Sequence, residues 1–333
     1  AAVATALAEV AAAASDPATA AEGEAYVMRV LTACLNDAFL AHLFTAGGLS
    51  RALPVRGGPN PDYRMAHAAL DPSRRYRLEG RLNRSERVGV GVYRLGLGGA
   101  LDPAGYAAFE RVSVAADGGF ALDIAADAQA PGGLALEADA RLLMIRTLHR
   151  DPAGEPAHLV LSGGDGTRDL ALAGGSVEAA LGHAAAALLR SIRTYLEWTE
   201  VTRAARNRFH PEAPTLTQGV QGDPDTVYFL GSYDLDDGEW LEVALPAGLT
   251  GYWSLHAYDT WCQALPGAGT GDHSARADAD GRMRIAVGPS GGGDAANRID
   301  TLGRRRGVLI ARFITADAVA VPHTEVRQEP AAA

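Results

Sequence analysis

The residues best suited to chemistry lie in one short segment, 253–259. Its residues alternate as they do along a strand, so Ser254, His256 and Tyr258 fall on the same face. If that face lines a cavity, His256 is a candidate general acid or base near neutral pH, and Tyr258 is a candidate hydrogen-bond donor. The alternative is a solvent-facing or hydrogen-bonded strand face without a catalytic role. The sequence therefore predicts His256 and Tyr258 as catalytic residues and leaves this alternative open.

Further side chains are candidates for ligand binding. They are Asp225, Tyr228, Ser254, Trp261 and Arg312. Asp225 and Tyr228 follow a turn, and their alternative role is to brace it. Arg312 lies in an apolar run, where a guanidinium is hard to bury without a carboxylate or a ligand anion. Arg146 has the same place in the first half of the chain, which favours a repeated structural ion pair.

Three motifs rich in glycine or aspartate resemble ligand sites. The segment 161–167 contains the GGDGT loop of diacylglycerol and NAD kinases, but the preceding residues lack alternating β and α units, so we interpret it as an exposed turn. Residues 89–93 lack the third glycine of a dinucleotide fingerprint and are interpreted as a strand. The segments 234–238 and 278–281 lack the ligand spacing of an EF-hand and are interpreted as hairpin turns.

Metal and cofactor motifs are absent from the sequence. None of the nine histidines forms an HxH or HExxH pair, and no GxSxG elbow occurs. The two cysteines, Cys34 and Cys262, are too few for a thiolate site or a disulfide framework. We therefore expect no metal and no cofactor, and the low cysteine count favours the reducing cytoplasm, with a removed leader left open.

Charge and hydropathy limit the partners. The chain of 333 residues has 30 basic and 40 acidic side chains and a formal net charge of −10, which disfavours nucleic acid. No apolar run is long enough for a membrane span. The alanine-rich start up to Ser15 and the last residues, 328–333, have few bulky apolar side chains, so we expect both ends to be held loosely. A small-molecule ligand and a homo-oligomer remain open.

The chain contains one pattern twice, a helix followed by short strands. Apolar residues at three- and four-residue spacings predict helices over 26–43 and from about 176 towards 209. Alternating segments broken by Gly, Pro and Asp follow each helix and predict antiparallel β structure. The predicted division is a helical segment, a β domain, a linker helix and a second β domain, at residues 1–50, 51–175, 176–208 and 209–333.

The two β regions can be aligned with each other. A shift of 163 matches six of the 22 residues from 61 to 82, among them Pro61-Asp62 with Pro224-Asp225. Shifts of 165 and 166 pair Tyr93 with Tyr258 and Arg146 with Arg312. Frequent turn residues are an alternative cause of such matches. The common offset nevertheless favours an internal duplication. The predicted fold is mainly β with helices (α+β): two tandem antiparallel β-sandwich or jelly-roll domains, each preceded by a helix.

Three spaced motifs in the second half carry a family resemblance. Residues 222–228 (GDPDTVY), 251–261 (GYWSLHAYDTW) and 279–281 (ADG) resemble the bacterial family known as domain of unknown function 1214. The first half, with 58–62 (GPNPD) and 76–80 (YRLEG), is similar to the domain of unknown function 1254 that commonly precedes it. This resemblance implies β-sandwich or jelly-roll domains and implies no particular reaction.

Two functions therefore follow as expectations. The first is a cofactor-free enzyme that handles a small molecule or carbohydrate, with its pocket between the domains or in the mouth of the second sandwich. The second is a non-catalytic binding or assembly protein that uses its β-sandwich surfaces. A deep pocket with His256 and an acid in reach favours the first, and a flat apolar patch favours the second.

Overall fold

Three helices lie in the described part of the chain. The computed structural model describes residues 1–40, 45–46, 48–51, 57–95, 101–163, 176–210, 223–246, 248–289, 295–314 and 319–328. The helices are α1 (Ala2–Ala13), α2 (Pro17–Leu40) and α3 (Val177–Ala204). At the start of α2, Asp16 Oδ1 accepts the backbone N–H of Thr19 at 2.8 Å. At the start of α3, Ser176 Oγ accepts the N–H of Ala179 at 3.1 Å. These side chains satisfy N–H groups that the first helical turn leaves unpaired.

The N-terminal stretch corrects the expectation that it is held loosely. Residues 2–13 form α1, which buries Ala6 and Val10 in a cluster shared with α2 and α3. Gly23 of α2 permits this close approach, because a Cβ there would lie 2.2 Å from a methyl carbon of Val10 and 2.7 Å from the ring of Trp261. Small side chains thus anchor the helix where bulky ones are lacking. At the other end, Gln328 lies in the last strand, and residues 329–333 of the segment expected to be loose lie outside the described part of the chain.

Strands make up most of the remaining described residues. Those of the first half are β1 (Thr45–Ala46), β2 (Leu49–Ser50), β3 (Tyr63–Ala69), β4 (Tyr76–Arg81), β5 (Arg87–Leu95), β6 (Leu101–Glu110), β7 (Gly119–Ala125), β8 (Gly133–Ala135), β9 (Ala140–Leu148) and β10 (His158–Ser162). Those of the second half are β11 (Val227–Asp234), β12 (Glu239–Leu245), β13 (Tyr252–Tyr258), β14 (Ala264–Gly271), β15 (Met283–Gly288), β16 (Arg298–Asp300), β17 (Arg306–Ile314) and β18 (His323–Gln328).

The strand order is the same in both halves. The first half has the sheets β1-β2-β3-β9-β5-β6 and β10-β4-β7-β8, and the second has β11-β17-β13-β14 and β16-β15-β12-β18. If β3 to β10 are matched in chain order with β11 to β18, every pair of neighbours recurs. The short pairs β7–β8 and β15–β16 are both parallel. The described chain is thus mostly β, with three helices and four sheets in two domains of repeated appearance.

The predicted hairpin turns connect strands of different sheets. The turn at Asp117-Gly118 leads from β6 to β7, and the turn at Asp280-Gly281 leads from β14 to β15. The segment 234–238 likewise leads from β11 to β12. Gly118 and Gly281 have φ angles of 81° and 80°, which glycine adopts without steric cost. The residues at these turns were predicted correctly, but local sequence does not specify which sheet the next strand joins.

Each half has an apolar core between its two sheets. In the first half Val90 of β5 shares a buried cluster with Leu78 and Leu122 of the other sheet. In the second half Leu255 of β13 shares one with Leu241 of β12. Alternate residues along β5 and β13 must then point away from these cores. The face of β13 that carries Ser254, His256 and Tyr258 is therefore an outer face.

Helix α3 covers part of that outer face. Its Trp198 is buried in a cluster with Tyr258, Ile310 and Cys262. All seven residues of β13 are buried, which differs from the solvent-facing alternative considered for this strand. Cys34 and Cys262 are both buried, and neither forms a disulfide. None of the described helices has the length and apolar character needed to span a membrane.

Trp261 packs the helical segment against the second half. Its side chain is 1% exposed, stacks on Tyr26 with ring centroids 6.3 Å apart, and donates from Nε1 to the carbonyl of Thr19 at 3.2 Å. We expect Trp261→Ala to lower the free energy of unfolding by roughly 3–5 kcal/mol, because it leaves a large cavity. Urea unfolding measures this change. Val112→Ala, at a side chain that is 93% exposed, is the control, and a loss below about 1 kcal/mol for Trp261→Ala would contradict the packing described.

Candidate functional site

A turn of the first half lies against the outer face of the second. Gly58 donates its N–H to the carbonyl of Cys262 at 2.6 Å and accepts from Arg312 at 2.8 Å. Tyr258 donates its hydroxyl to the carbonyl of Pro59 at 2.5 Å. Asn60 Oδ1 accepts the N–H of Asp62 at 3.1 Å, which closes an Asx turn. These contacts carry Asp62 from the first half onto β13.

A turn of the second half makes an equivalent contact with the first half. Asp223 Oδ1 accepts the N–H of Asp225 at 3.0 Å, which is the same Asx turn 163 residues later. Asp225 then pairs with Arg87 of β5, which also binds Glu110 at 2.9 Å. Each half thus places an aspartate on the outer face of the other. The repeated Pro-Asp pair in the sequence marks both positions.

Asp62 meets two polar residues of β13, and a third joins them through Tyr252. The hydroxyl of Tyr252 lies 2.9 Å from Asp62 Oδ2 and 2.8 Å from Ser254 Oγ. His256 Nε2 lies 3.8 Å from Asp62 Oδ1. The side chains of Asp62 and His256 are 15% and 9% exposed, so solvent reaches the group at this edge. We call Asp62, Tyr252, Ser254 and His256 the polar cluster.

Burial shifts Asp62 and His256 of the polar cluster towards their uncharged forms. It raises the pKa of Asp62 above the ordinary value, although Tyr252 and Arg150 act in the other direction. Burial, together with the charges of Arg312 and His273, lowers the pKa of His256 to about 3. His256 is therefore an uncharged imidazole at neutral pH. Its Nδ1 is buried and has no hydrogen-bond partner among the described residues.

Arg150 fixes the position of Tyr252. Its guanidinium carbon lies 5.3 Å from the centroid of the Tyr252 ring. The same group binds Glu86 of the first half and both carboxylate oxygens of Asp272 in the second, at 2.6 and 3.0 Å. His273 Nδ1 lies 2.9 Å from Nη1 of Arg150. This arginine therefore holds the two halves together beside the polar cluster.

Arg312 and its counterpart in the first half, Arg146, form the same kind of hydrogen bond. Arg312 donates to the hydroxyl of Tyr258 at 2.9 Å, and Arg146 donates to the hydroxyl of Tyr93 at 2.7 Å. The Arg312 guanidinium also lies 5.8 Å from the rings of both Tyr228 and Tyr258. The repetition was expected, but the shared partner is a tyrosine hydroxyl rather than the carboxylate of an ion pair. A buried guanidinium can bond to a neutral oxygen and stack on an aromatic ring.

The predicted site residues separate into two groups. His256, Ser254, Tyr258, Tyr228 and Arg312 come together on the outer face of the second half. Two others lie apart from this group. Asp225 contacts Arg87 of the first half, and Trp261 packs against α2.

Sequence reasoning missed two members of the polar cluster and the arginine beside it. Asp62, Tyr252 and Arg150 were not among the candidates. Asp62 belonged to the repeated Pro-Asp pair, and Tyr252 lay within a quoted family motif, so a signal existed for both. Arg150 had none, because its partners are 64 and 122 residues away.

The remaining motifs add no ligand site to this region. Within the described ranges, no group of three or more His, Cys, Asp or Glu side chains is arranged to hold a metal. The segment 89–93 lies in strand β5, as interpreted. Residues 164–167 of the GGDGT motif lie outside the described part of the chain.

A cavity beside α3 is separate from the polar cluster. Its lining includes Thr199, Thr202, Ser232 and Arg306. The hydroxyls of Thr199, Thr202 and Ser232 all bond to backbone carbonyls. None of the predicted site residues lines this cavity.

Comparison with solved structures shows the fold. The chain is 24% identical to an uncharacterised protein of Burkholderia cenocepacia, with a TM-score of 0.82, and the match covers 98% of this chain and 95% of the other. It is 13% identical to the VPA0106 protein of Vibrio parahaemolyticus, with a TM-score of 0.50 and coverage of 91% and 97%. No curated protein matches the chain.

One family model matches part of the chain. The model described as "Protein of unknown function (DUF1254)" matches residues 202–331. The sequence placed its resemblance to the 1254 domain in the first half, whereas the match falls on the second half.

The low pKa of His256 makes acid stability a direct test of its burial. Below pH 6.5 the unfolded chain binds a proton at this imidazole and the folded protein does not, so stability falls as the pH drops from 6.5 towards 3. We expect His256→Gln to reduce this acid loss by roughly 3 kcal/mol at pH 4. Urea unfolding of both proteins at pH 7 and pH 4 measures the difference. His158→Gln, at an exposed histidine, is the control, and equal pH dependence in wild type and His256→Gln would show that His256 is not buried uncharged.

Proposed function

We propose that the protein is a cofactor-free enzyme acting on a small molecule, carbohydrates included, with its active site at the polar cluster. The observation that carries this proposal is the meeting of an acid and an uncharged histidine from the two halves, with Asp62 Oδ1 3.8 Å from His256 Nε2. Titratable groups with shifted pKa values, gathered where two domains meet, are typical of active sites.

The electrostatics favour a different assignment of roles from the one expected. A pKa of about 3 makes His256 a weak base at neutral pH. We assign it the role of an uncharged hydrogen-bonding group for the substrate. Asp62, whose pKa burial raises, is better suited to accept a proton from a substrate group bound near Nε2. Tyr258 is fully buried and bonds to Arg312 and to the carbonyl of Pro59, so we assign it a structural role beside the site.

The alternative function is a non-catalytic binding or assembly protein that uses its β-sandwich surfaces. The contacts around Asp62 favour this alternative, because Tyr252 and Asn60 bond across the two halves and would join them without any chemistry. Asn60 Nδ2 lies 2.9 Å from the Tyr252 hydroxyl. In an enzyme, loss of the Asp62 charge would lower turnover. In a binding or assembly protein, it would lower only the stability.

The proposal includes the organisation of the chain. We retain the division into residues 1–50, 51–175, 176–208 and 209–333, and an internal duplication as the origin of the two β domains. The shared strand order and the repeated Asx turns support both. The jelly-roll assignment, the resemblance of residues 207–325 to the 1214 family, the cytoplasmic location and a homo-oligomer stay predictions.

Asp62→Asn distinguishes the two functions. We expect it to lower turnover by roughly 10²–10⁴-fold, because the amide cannot accept the proton, while the Tyr252 contact keeps an oxygen partner. Turnover is measured on p-nitrophenyl acetate and a panel of p-nitrophenyl glycosides, together with the thermal midpoint. The control is Asp117→Asn, which removes a carboxylate from an exposed pair with Arg81. Unchanged turnover with a strongly lowered midpoint would assign Asp62 to the scaffold and favour the alternative.

A further inference from the structure

The imidazole of His256 lies directly over the backbone of Gly269. The two residues are opposite each other in the register of β13 and β14. A Cβ on Gly269 would lie 2.7 Å from Nε2 of His256 and closer still to Cδ2, and its three nearest atoms would all belong to this ring. Non-bonded atoms pack at about 3.5–4.0 Å. A side chain at position 269 and the imidazole therefore cannot both keep these places.

Space, and not backbone conformation, requires glycine at position 269. The φ angle of Gly269 lies outside the left-handed region, whereas that of Gly267 is 69° and lies within it. Only the left-handed region penalises a residue that has a Cβ, so alanine can adopt the backbone of Gly269. The obstacle to a larger residue is the ring of His256.

The first half fills the equivalent place in a different way. Gly91 of β5 is the counterpart of His256, because each lies opposite the residue two positions before the buried arginine of the neighbouring strand. Opposite Gly91 lies Tyr106 of β6, so Tyr106 is the counterpart of Gly269. The hydroxyl of Tyr106 takes up the space that a Cβ on Gly89 would need. The large side chain comes from the last strand of the sheet in the first half and from a central strand in the second, with glycine opposite in both.

The position of the ring decides which nitrogen meets Asp62. Nε2 lies on the side of Gly269, 3.8 Å from Asp62 Oδ1. Nδ1 is buried and has no hydrogen-bond partner among the described residues. A buried N–H without an acceptor is rare in proteins, and an uncharged imidazole carries its proton on one nitrogen only. The proton therefore belongs on Nε2, which faces the carboxylate.

We propose that Gly269 is the positioning residue of His256. Its missing side chain leaves the space in which the imidazole lies, and this space holds the ring with its Nε2–H towards Asp62. Ile310 lies opposite His256 on the other neighbouring strand and is itself buried, so a larger residue at position 269 would direct the ring away from the sheet, towards solvent. The effect of Gly269 on turnover rests on the proposed function, whereas its effect on the ring needs no substrate.

NMR of the histidine rings in ¹⁵N-labelled protein tests the proposal. In the wild type the His256 ring, identified by its absence from His256→Gln, should show the Nε2–H tautomer at pH 7 and no titration between pH 5 and 8. In Gly269→Ala we expect the imidazole to titrate in that range, because exposure returns the pKa of a histidine towards about 6.5. Gly182→Ala is the matched control, since a Cβ there meets nothing within 4 Å, and it should keep the wild-type signals.

Two NMR results would overturn the proposal. One is a His256 ring that keeps the tautomer and the titration of the wild type in Gly269→Ala, which would mean that the space at position 269 does not hold it. The other is an Nδ1–H tautomer in the wild type, because the nitrogen that faces Asp62 would then carry no proton.

A second measurement applies even if Gly269→Ala weakens the fold. In the wild-type background we expect this change to lower the thermal midpoint by roughly 2–6 °C, because the Cβ and the ring overlap. In His256→Ala the space over position 269 is free, so the same change should alter the midpoint by less than about 1 °C. Equal losses in both backgrounds would show that glycine is required for a reason other than the imidazole, and the proposal would fail.

Turnover distinguishes failure of this inference from failure of the proposed function. With the substrates used for Asp62→Asn, we expect Gly269→Ala to lower turnover by roughly 10–100-fold, because a displaced group loses its alignment with the substrate. Full turnover in Gly269→Ala together with an altered His256 ring would overturn the role of Gly269 in the reaction. Unchanged turnover in Asp62→Asn would instead reject the enzyme, and the NMR result would still decide how the ring is held.

Discussion

The bond from Arg312 to the carbonyl of Gly58 is the contact on which the rest of the structure depends. It ties the first turn of one half to the central sheet of the other, and it does so at a guanidinium that is 2% exposed. Because a buried charge must keep its polar partners, the turn is fixed in place. Asp62, three residues beyond Pro59 along the turn, then lies against Tyr252 of β13.

Because the two halves repeat, each contacts the other through an equivalent turn. The site lies where the partners of these two turns differ. Both halves use an Asx turn followed by an aspartate that crosses to the partner half. In one direction the aspartate meets Arg87 and forms an ion pair. In the other it meets Tyr252, next to an uncharged histidine. The contact of Asp225 is a complete ion pair. The contact of Asp62 leaves an acid and an imidazole that can each form a further hydrogen bond.

Local sequence predicted the elements better than their assembly. The periodicity of Val177 to Leu196 indicated a helix, and α3 is there, because apolar spacing and a capping serine are local signals. The same reasoning failed for α1, whose alanines pack closely only because Gly23 lies opposite. The turns at Gly118 and Gly281 were identified, but not the sheets they join, since that depends on strands far away in the chain.

The site was predicted in part for the same reason. Alternation along β13 correctly placed Ser254, His256 and Tyr258 on one face, because a strand fixes which residues share a side. It gave no information on what covers that face. Asp62 comes from a turn 194 residues earlier than His256, and Arg150 bridges Glu86 and Asp272. Such contacts follow from how two domains meet, which no local spacing encodes.

A double-mutant cycle between Asp62 and Tyr252 tests most directly whether the two halves meet through this cluster. The single variants Asp62→Ala and Tyr252→Phe and the double variant are compared by urea unfolding at pH 7. A buried hydrogen bond to a charged group predicts a coupling energy of about 1.5–3 kcal/mol. Additive effects within about 0.5 kcal/mol would mean that the two side chains do not interact across the halves, and the account would be contradicted.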